Sequence, residues 1–508
     1  MLVTAVVAGG GSGAGAGVGR PAPVRGGAVA VAAGVGAWLF VPVVGRISLT
    51  EVAAVLLAPA AVLALLRVRR IGPAVLLTGS AWIGGLVLGH LLHPAPATTL
   101  AKAVASAGVF VLTVGLVCGI LRAGSDGERG PRDLLIAGFA VGQAVGIVLT
   151  PPDYAALDPW KFGVGQSVTL LVLIAVSRWA HRYDRVAVPA ALSLLAALHL
   201  VLGARSLSLF AIVIALAAVL TPRVPWRRGW PRLVAVAVAA GLAGVLLGQL
   251  YTQLATDGDL GAAEQQKVSF QTGDFGIAVG GRKDVVFLVS GVLQSPITGW
   301  GPSARVPSEV KSEAVLWLRE HGYPVYGYDL LTYVLPDSLY LHSVLLGAWV
   351  TGGVLGFLAW LLVFCVVLRG LARAVRDRAL AEAYMLLVAA WHVLFSPLGD
   401  STRGHIAVAV ALALTATVGR AHQQREEHPG GDGGHDRVPD DPGDGTIRWP
   451  EQGPDEDGGE PEGHHPGQDR AHRALAPAGL QPDHQHLREH HHGGDRDVAP
   501  HRRDGGLE

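Results

Sequence analysis

Apolar runs long enough to cross a bilayer recur along this chain, and that recurrence constrains its fold more than any other feature. They lie near residues 27–44, 51–66, 71–92, 100–121, 133–150, 164–180, 186–203, 206–221, 232–250, 340–368, 380–397 and 402–419. A helix needs roughly 17 to 25 predominantly apolar residues to span hydrocarbon. Inside lipid every backbone N–H and C=O must find its partner within the chain, so runs of this length specify helices. The expected fold is all-α: a polytopic membrane protein with about twelve transmembrane helices, one large extracytoplasmic loop and a disordered C-terminal tail. Composition agrees, with 50% apolar residues, only 16% charged and a mean hydropathy of +0.40. This balance excludes a soluble domain, and no nucleic-acid partner is expected.

The connections assign the two sides. Arg67, Arg69 and Arg70 fall in the second; Arg122, Arg129 and Arg132 in the fourth; Arg178, Arg182 and Arg185 at the sixth. Arg223, Arg227, Arg228 and Arg232 flank the eighth, and Arg369, Arg373, Arg376 and Arg378 the tenth. The odd connections are sparser, with residues such as Arg46, Lys161 and Arg205. Arginine in every second loop is the positive-inside pattern. It places both termini in the cytoplasm and residues 251–339 outside, in a multi-pass protein of the cytoplasmic membrane.

Three regions follow. Residues 1–26 are Gly- and Ala-rich, with Arg20 and Arg25 just ahead of the first apolar run. A cleaved leader would carry its basic residues first, so this stretch reads as a flexible cytoplasmic N-terminus. Residues 27–420 form the transmembrane domain. Within it, Cys118 and Cys365 sit in apolar runs and read as small core residues, with no disulfide framework or metal site. Pro59, Pro73, Gly84, Gly85, Gly352, Gly353 and Gly356 are tolerated where neighbouring helices approach closely. Residues 421–508 have scarcely an apolar pair and are rich in Gly, Pro, Asp, Arg and His, so a disordered, solvated tail is expected. His464-His465 and His490-His491-His492 also admit metal binding, against their irregular spacing.

The long polar interruption at 251–339 is the place to look for chemistry. Thr256-Asp257-Gly258-Asp259 has the spacing of an acidic metal–phosphate pair, but its neighbours favour a turn, and neither metal nor cofactor is implied. After Gly280-Gly281-Arg282-Lys283-Asp284, the apolar stretch Val285 to Leu293 is expected as a short helix lying on the membrane surface. Pro296 stops it, and Gly299-Trp300-Gly301-Pro302 makes a tight turn. A second helix is expected from Ser308 to Glu320, with Val310, Ala314, Trp317 and Leu318 on one face. Six of the nine tyrosines lie between 251 and 340, where they suit either an interfacial belt or stacking against sugar rings.

Arg282 and Arg205 stand at the outer mouth. An arginine fork suits a diphosphate oxygen; a snorkelling or salt-bridged surface arginine is the plainer reading. Gly281 permits close backbone approach before Arg282. His342, two residues after Tyr340, is either a packing histidine or an acid–base group, and Asp337 could orient or replace it. Asp400 and Arg403, in the last outer connection, line the same cavity or make a plain turn.

These residues resemble the O-antigen ligase and O-antigen polymerase superfamily of integral membrane glycosyltransferases. The family pattern runs Gly-Arg, an apolar stretch, Pro-x-x-Gly-x-Gly-Pro, then a His-Asn/Ser opening a helix with Gly-x-x-Gly. Here it reads Gly281-Arg282, Pro296-Ile297-Thr298-Gly299-Trp300-Gly301-Pro302, and His342-Ser343 leading to Gly352-Gly353-Val354-Leu355-Gly356. Arg205-Ser206 is similar to the family's Ser-Arg-Gly position. The motifs cover roughly 200 to 370. Val286, with Phe287 beside it, stands where an aromatic is usual, Ser343 replaces Asn, and Ala204 and Leu207 flank Arg205-Ser206 where Ser and Gly are usual. An alternative alignment puts Asp337-Ser338 at the His-Asn place. The resemblance implies an inverting, metal-independent transfer of glycan from a polyprenyl-pyrophosphate-linked oligosaccharide donor to a glycan or lipid acceptor among membrane lipids. It implies catalytic roles for His342, Arg282 and Arg205, with Gly281, Trp300, Asp337, Tyr340 and Arg403 about the substrate.

Two other classes remain. A transporter or flippase of lipid-linked glycan would need charges along its path and repeat symmetry, neither of which stands out. A membrane scaffold would not need arginines gathered at the outer mouth.

Overall fold

The computed structural model describes residues 24–42, 46–68, 71–124, 130–149, 158–179, 184–221, 230–274, 276 and 280–415. The tail expected at 421–508, residues 1–23 of the expected N-terminal lead, and Arg69, Arg70, Arg129, Arg182, Arg223, Arg227 and Arg228 lie outside the described residues. What is described is almost entirely helical. The helices are α1 (Val24–Gly36), α2 (Leu49–Leu56), α3 (Ala58–Leu66), α4 (Ile71–Leu92), α5 (Ala97–Ala123) and α6 (Gly130–Leu149). A π-helical turn, Trp160–Val164, leads into α7 (Gly165–Trp179), followed by α8 (Asp184–Val201), α9 (Arg205–Leu220) and α10 (Trp230–Thr256). The long polar interruption contributes α11 (Ala262–Gln271), α12 (Lys283–Gln294) and α13 (Ser308–Glu320). The chain then returns through α14 (Val344–Arg376), α15 (Leu380–Phe395) and α16 (Asp400–Thr415).

Among the described residues, five helices are long and apolar enough to cross a membrane: α4, α5, α6, α14, and α7 together with its π turn. A bent pair makes a sixth. Large apolar side chains such as Leu77, Leu91, Val148 and Leu194 are exposed on their outer faces. By length and composition this is a helical membrane protein.

Two early segments depart from the expected single helices. The run at 27–44 is helical only to Gly36, then turns into a two-stranded hairpin, β1 (Phe40–Pro42) against β2 (Arg46–Ser48). The run at 51–66 is α2 and α3, bent by 84°. Pro59 sits in the first turn of α3, where its missing N–H costs nothing, but it could not have continued α2. Cys118 is buried as expected, whereas Cys365 is exposed on α14, so only one of the two is a core residue.

Small residues set the closest helix contacts. Gly138, Gly142 and Gly146 form one stripe of α6, and a Cβ on any of them would meet carbonyls of Val31, Val35 or Trp38 within 2.6 Å. Lipid tails are as apolar as leucine, so such backbone approach is what holds membrane helices together.

The bundle has two unlike ends. At one, Arg132 pairs with Glu382 at 3.0 Å and donates to Thr415 at 3.1 Å. Arg373 and Arg378 reach carbonyls of Ala413 and Ala218 there. These residues come from the starts of α6 and α15 and the ends of α9, α14 and α16, so the arginine-rich connections share one end. Arg205 opens α9 at the other end, and Arg282 meets the far end of α15.

The segment 280–341 has its own core. One apolar face of α12 (Phe287, Leu288, Val292) packs on Val310, Ala314 and Leu318 of α13 and on Val350 of α14, while Val289 and Leu293 stay exposed on the other. α12 is thus the short helix expected after Arg282, with part of its apolar surface taken up by α13 and α14. α13 has the expected bounds, Ser308–Glu320.

One joint ties this unit to the bundle. α14 is broken at Gly353, whose φ of 60° and ψ of −153° fall in a region open to glycine alone. The Pro296–Pro302 turn plugs the break: Val354 N donates to Ile297 O at 3.0 Å, Trp300 N to Val350 O at 2.6 Å, and Trp349 Nε1 to Pro296 O at 2.8 Å. Gly299, with φ 68°, makes the approach possible. Replacing Gly353 with alanine would drive a Cβ to 2.0 Å from the Ile297 carbonyl. We expect Gly353→Ala to destabilise the protein by roughly 1–3 kcal/mol from backbone strain alone and to expose the Pro296–Pro302 turn to protease. An unchanged melting temperature and cleavage pattern in detergent would contradict the joint.

Candidate functional site

Three consecutive charges, Arg282-Lys283-Asp284, open α12, and the helical turn sends them three ways. Arg282 Nη1 donates to the Phe395 carbonyl at 2.9 Å, and its guanidinium lies 5.4 Å from the Phe395 ring and 5.8 Å from that of Trp391. It thus caps the C-terminal end of α15, where carbonyls lack intrahelical partners. Lys283 is buried and donates to Pro324 O at 2.6 Å and Asp329 Oδ2 at 3.0 Å, tying the 324–329 stretch to α12. Asp284 is 5% exposed, and its Oδ2 has no hydrogen-bond partner among the described residues.

Asp284, His342 and Arg282 lie within electrostatic reach of one another. Burial pushes the Asp284 carboxyl up from its ordinary range, and His342 and Arg282 pull it back. Burial likewise pushes His342 down; Asp284 opposes this and Arg282 adds to it. The Tyr340 ring meets the His342 ring edge-on at 4.3 Å, with Tyr340 itself half exposed.

A second group of charges adjoins this one. Lys161, in the π-helical turn before α7, lies within electrostatic reach of Arg205, Lys267 and Arg282. The Arg205 guanidinium stacks 4.0 Å over the Tyr251 ring and stands 4.0 Å from Glu264. Glu264 also takes a 3.1 Å bond from Lys267 and bonds the Tyr251 hydroxyl. Four cations thus gather against two carboxylates, Glu264 and Asp158, leaving a net positive rim that suits a multiply charged anion.

Beside this rim lies a cleft of about 520 Å³ between α11 and the start of α12. It is lined by Gly280, Gly281 and Asp284 at the start of α12, by Lys267 and Gln271 of α11, and by Tyr326 and Tyr333. Gln271 Oε1, like Asp284 Oδ2, is buried with no hydrogen-bond partner among the described residues.

The site residues expected from sequence divide accordingly. Arg205, Arg282 and His342 come to the same end of the bundle, and Gly281 lines the cleft. Trp300 belongs to the joint: its Nε1 donates to Gly291 O at 2.8 Å and its ring stacks on His93. Asp337 is exposed and its carbonyl receives the Lys311 ammonium at 3.4 Å. Arg403 is 8% exposed and donates to Glu51 through Nε at 2.6 Å and Nη2 at 3.1 Å, and to Ser106 at 3.0 Å. It locks α16 to the capping box of α2, in which Ser48 and Glu51 bond reciprocally. Asp257-Gly258-Asp259 is a turn, with Gly258 at φ 87°. Lys161, Lys267, Gln271 and Asp284 were not singled out from sequence. Asp284 had a local signal in its place two residues after Arg282; the others had none, since only folding brings their elements together.

Removing the Glu51 charge would leave the buried Arg403 with only Asp400 at 4.0 Å to oppose it, a loss approaching the roughly 3–5 kcal/mol of a broken buried pair. Glu51→Gln should therefore lower the melting temperature in detergent, and the double variant Glu51→Leu/Arg403→Met should recover much of it; no loss in the single variant would contradict the pairing. A second expectation concerns acid. Because the native His342 resists protonation relative to its ordinary value of 6.5, its contribution to stability is lost as pH falls below that value. Asp284 acts in the opposite sense, losing its contribution as pH rises through its raised pKa. His342→Asn should flatten the decline in melting temperature between neutral pH and about pH 5; an unchanged slope would remove His342 from the cause.

No protein-family model matches the chain, and no curated protein matches it.

Proposed function

We propose that this protein transfers or polymerises a polyprenyl-pyrophosphate-linked glycan at the outer face of the cytoplasmic membrane, as an envelope polysaccharide polymerase or ligase. The observation that carries the reading is the gathering of Lys161, Arg205, Lys267 and Arg282 at the end of the bundle opposite the arginine-rich one. Under the positive-inside rule the arginine-rich end is cytoplasmic, so the rim, the cleft and His342 face outward. The motif resemblance points the same way.

In this reading the diphosphate of the donor sits among the cations of the rim, with its isoprenoid chain in the lipid beside the bundle. An acceptor hydroxyl oxygen attacks the anomeric carbon from the face opposite the diphosphate. The new C–O bond forms as the old one breaks, and its electron pair leaves on the diphosphate oxygen. Fixed guanidinium and ammonium groups stabilise that developing charge, and they do so far more strongly in a partly dehydrated site than in water. The hydroxyl proton passes to the His342–Asp284 pair, which lies within reach of Arg282.

One observation favours a second reading, a flippase. Gln143, Gln166 and His405 join in a buried chain, with Gln143 Nε2 to Gln166 Oε1 at 3.2 Å and Gln166 Nε2 to His405 Nδ1 at 3.3 Å, and such polar groups at membrane depth can mark a transport path. The two readings separate in a deletion strain. A transferase deletion leaves lipid-linked glycan in the outer leaflet, as single repeat units for a polymerase or long chains for a ligase; a flippase deletion leaves it in the inner leaflet. We expect Arg282→Ala to lower polymer or conjugate by about 10²–10³-fold at unchanged membrane abundance. Normal polymer from that variant would contradict the assignment.

A further inference from the structure

The cleft between α11 and the start of α12 is not the seat of the diphosphate, because its chemistry differs from that of the rim. Of the two lysines that line it, Lys283 is held by Asp329 and Pro324, and Lys267 is shared with the rim through Glu264. What it offers instead is acceptors without donors. Asp284 and Gln271 both line the cleft, and each carries a buried side-chain oxygen without a hydrogen-bond partner among the described residues. A buried acceptor left unpaired costs about 1–3 kcal/mol, so a small turn of either side chain toward an O–H group in the cleft is favourable. The same cleft is lined by Tyr326, whose ring contacts Phe270 at 4.9 Å, and Tyr333, whose ring stacks on Phe287 at 5.0 Å. Aromatic rings held by a neighbour, sharing a cleft with carboxylate and amide side chains, suit a ligand with apolar C–H faces and hydroxyl edges. Carbohydrate has both.

Position decides which carbohydrate. Asp284 is the residue common to the two regions: it lines the cleft and lies within electrostatic reach of Arg282 and His342. His342 is not among the residues that line the cleft, and it lies within electrostatic reach of Asp284. We infer that this cleft is the subsite for the acceptor glycan, neutral and hydroxyl-rich, and that Asp284 is the carboxylate that receives the attacking hydroxyl. The inference rests on the transferase reading above and assigns within it the base. As the acceptor oxygen bonds to the anomeric carbon and the diphosphate departs with its electron pair, the hydroxyl proton moves to Asp284 Oδ2, and His342 acts through Asp284 as a positioning residue. Burial raises the Asp284 carboxyl above its ordinary range, which makes it a stronger base toward a hydroxyl proton than an exposed carboxylate.

The test uses the full chain in lipid nanodiscs. The probe is a set of short oligosaccharides released by mild acid from the cells' own lipid-linked glycan, read by saturation-transfer NMR and by titration. Wild-type protein is expected to saturate the sugar ring protons. Asp284→Asn, which keeps the shape and removes the charge, is expected to weaken binding about 10- to 100-fold and to lower transfer in cells by about 10²–10⁴-fold. Gln271→Met tests the same cleft without touching Asp284 and is expected to weaken binding while leaving the protein folded. Arg282→Ala is expected to lose transfer yet still bind the oligosaccharides. No saturation by the wild type, or wild-type affinity in both Asp284→Asn and Gln271→Met, would overturn the cleft assignment. Normal transfer by Arg282→Ala would instead remove the transferase reading, whatever the cleft binds.

Discussion

The segment 280–341 depends on a break in a helix. α14 cannot run straight through Gly353, and the carbonyl and amide freed there are taken up by the Pro296–Pro302 turn, through Trp300 N to Val350 O and Val354 N to Ile297 O. At membrane depth an unsatisfied backbone group costs several kcal/mol, so the turn and the break stabilise each other and neither is stable alone. The consequence reaches the site directly. α12 ends just before this turn and begins at Arg282, so a rigid plug at one end of α12 fixes where its first charges stand.

From that anchor the charges acquire different tasks through packing. Lys283 draws the 324–329 stretch over the cleft, and Arg282 fastens α12 to the end of α15. Asp284, between them, is left with a buried oxygen that nothing in the fold satisfies. Polar groups in folded proteins are otherwise paired, and the same fold pairs even the demanding Arg403–Glu51 contact in full. Among the buried side-chain atoms of the described residues left without a hydrogen-bond partner, Asp284 Oδ2 and Gln271 Oε1 are the two whose residues line the cleft. The nearness of Asp284 to the cation rim joins two regions of contrasting chemistry, one for anionic charge and one for hydroxyl groups.

Much of this order was legible from residue pattern. Ser308 to Glu320 was readable as a helix because its apolar residues repeat every three to four positions, and its partner α12 was readable from its apolar stretch and stop at Pro296. What pattern missed was the partner surface, since α13 and α14 meet one apolar face of α12 only on folding. Trp300 and Arg403 show the same limit. Both belong to residue types that bind ligands, and both are occupied by contacts distant in sequence, Trp300 by Gly291 and His93 and Arg403 by Glu51 and Ser106. Lys161 was visible only as a loop cation, since its neighbours Arg205, Lys267 and Arg282 arrive from three other elements.

Hydrophobic length and arginine spacing, which act on each segment separately, were enough by themselves to determine a helical membrane protein with two unlike ends and a long polar interruption between its apolar helices. They could not say which charges meet. That was decided by close approach of glycine-bearing backbones and by the plugged break in α14, because a charge acquires its role from groups brought within a few ångströms by packing, and packing joins residues the sequence keeps far apart.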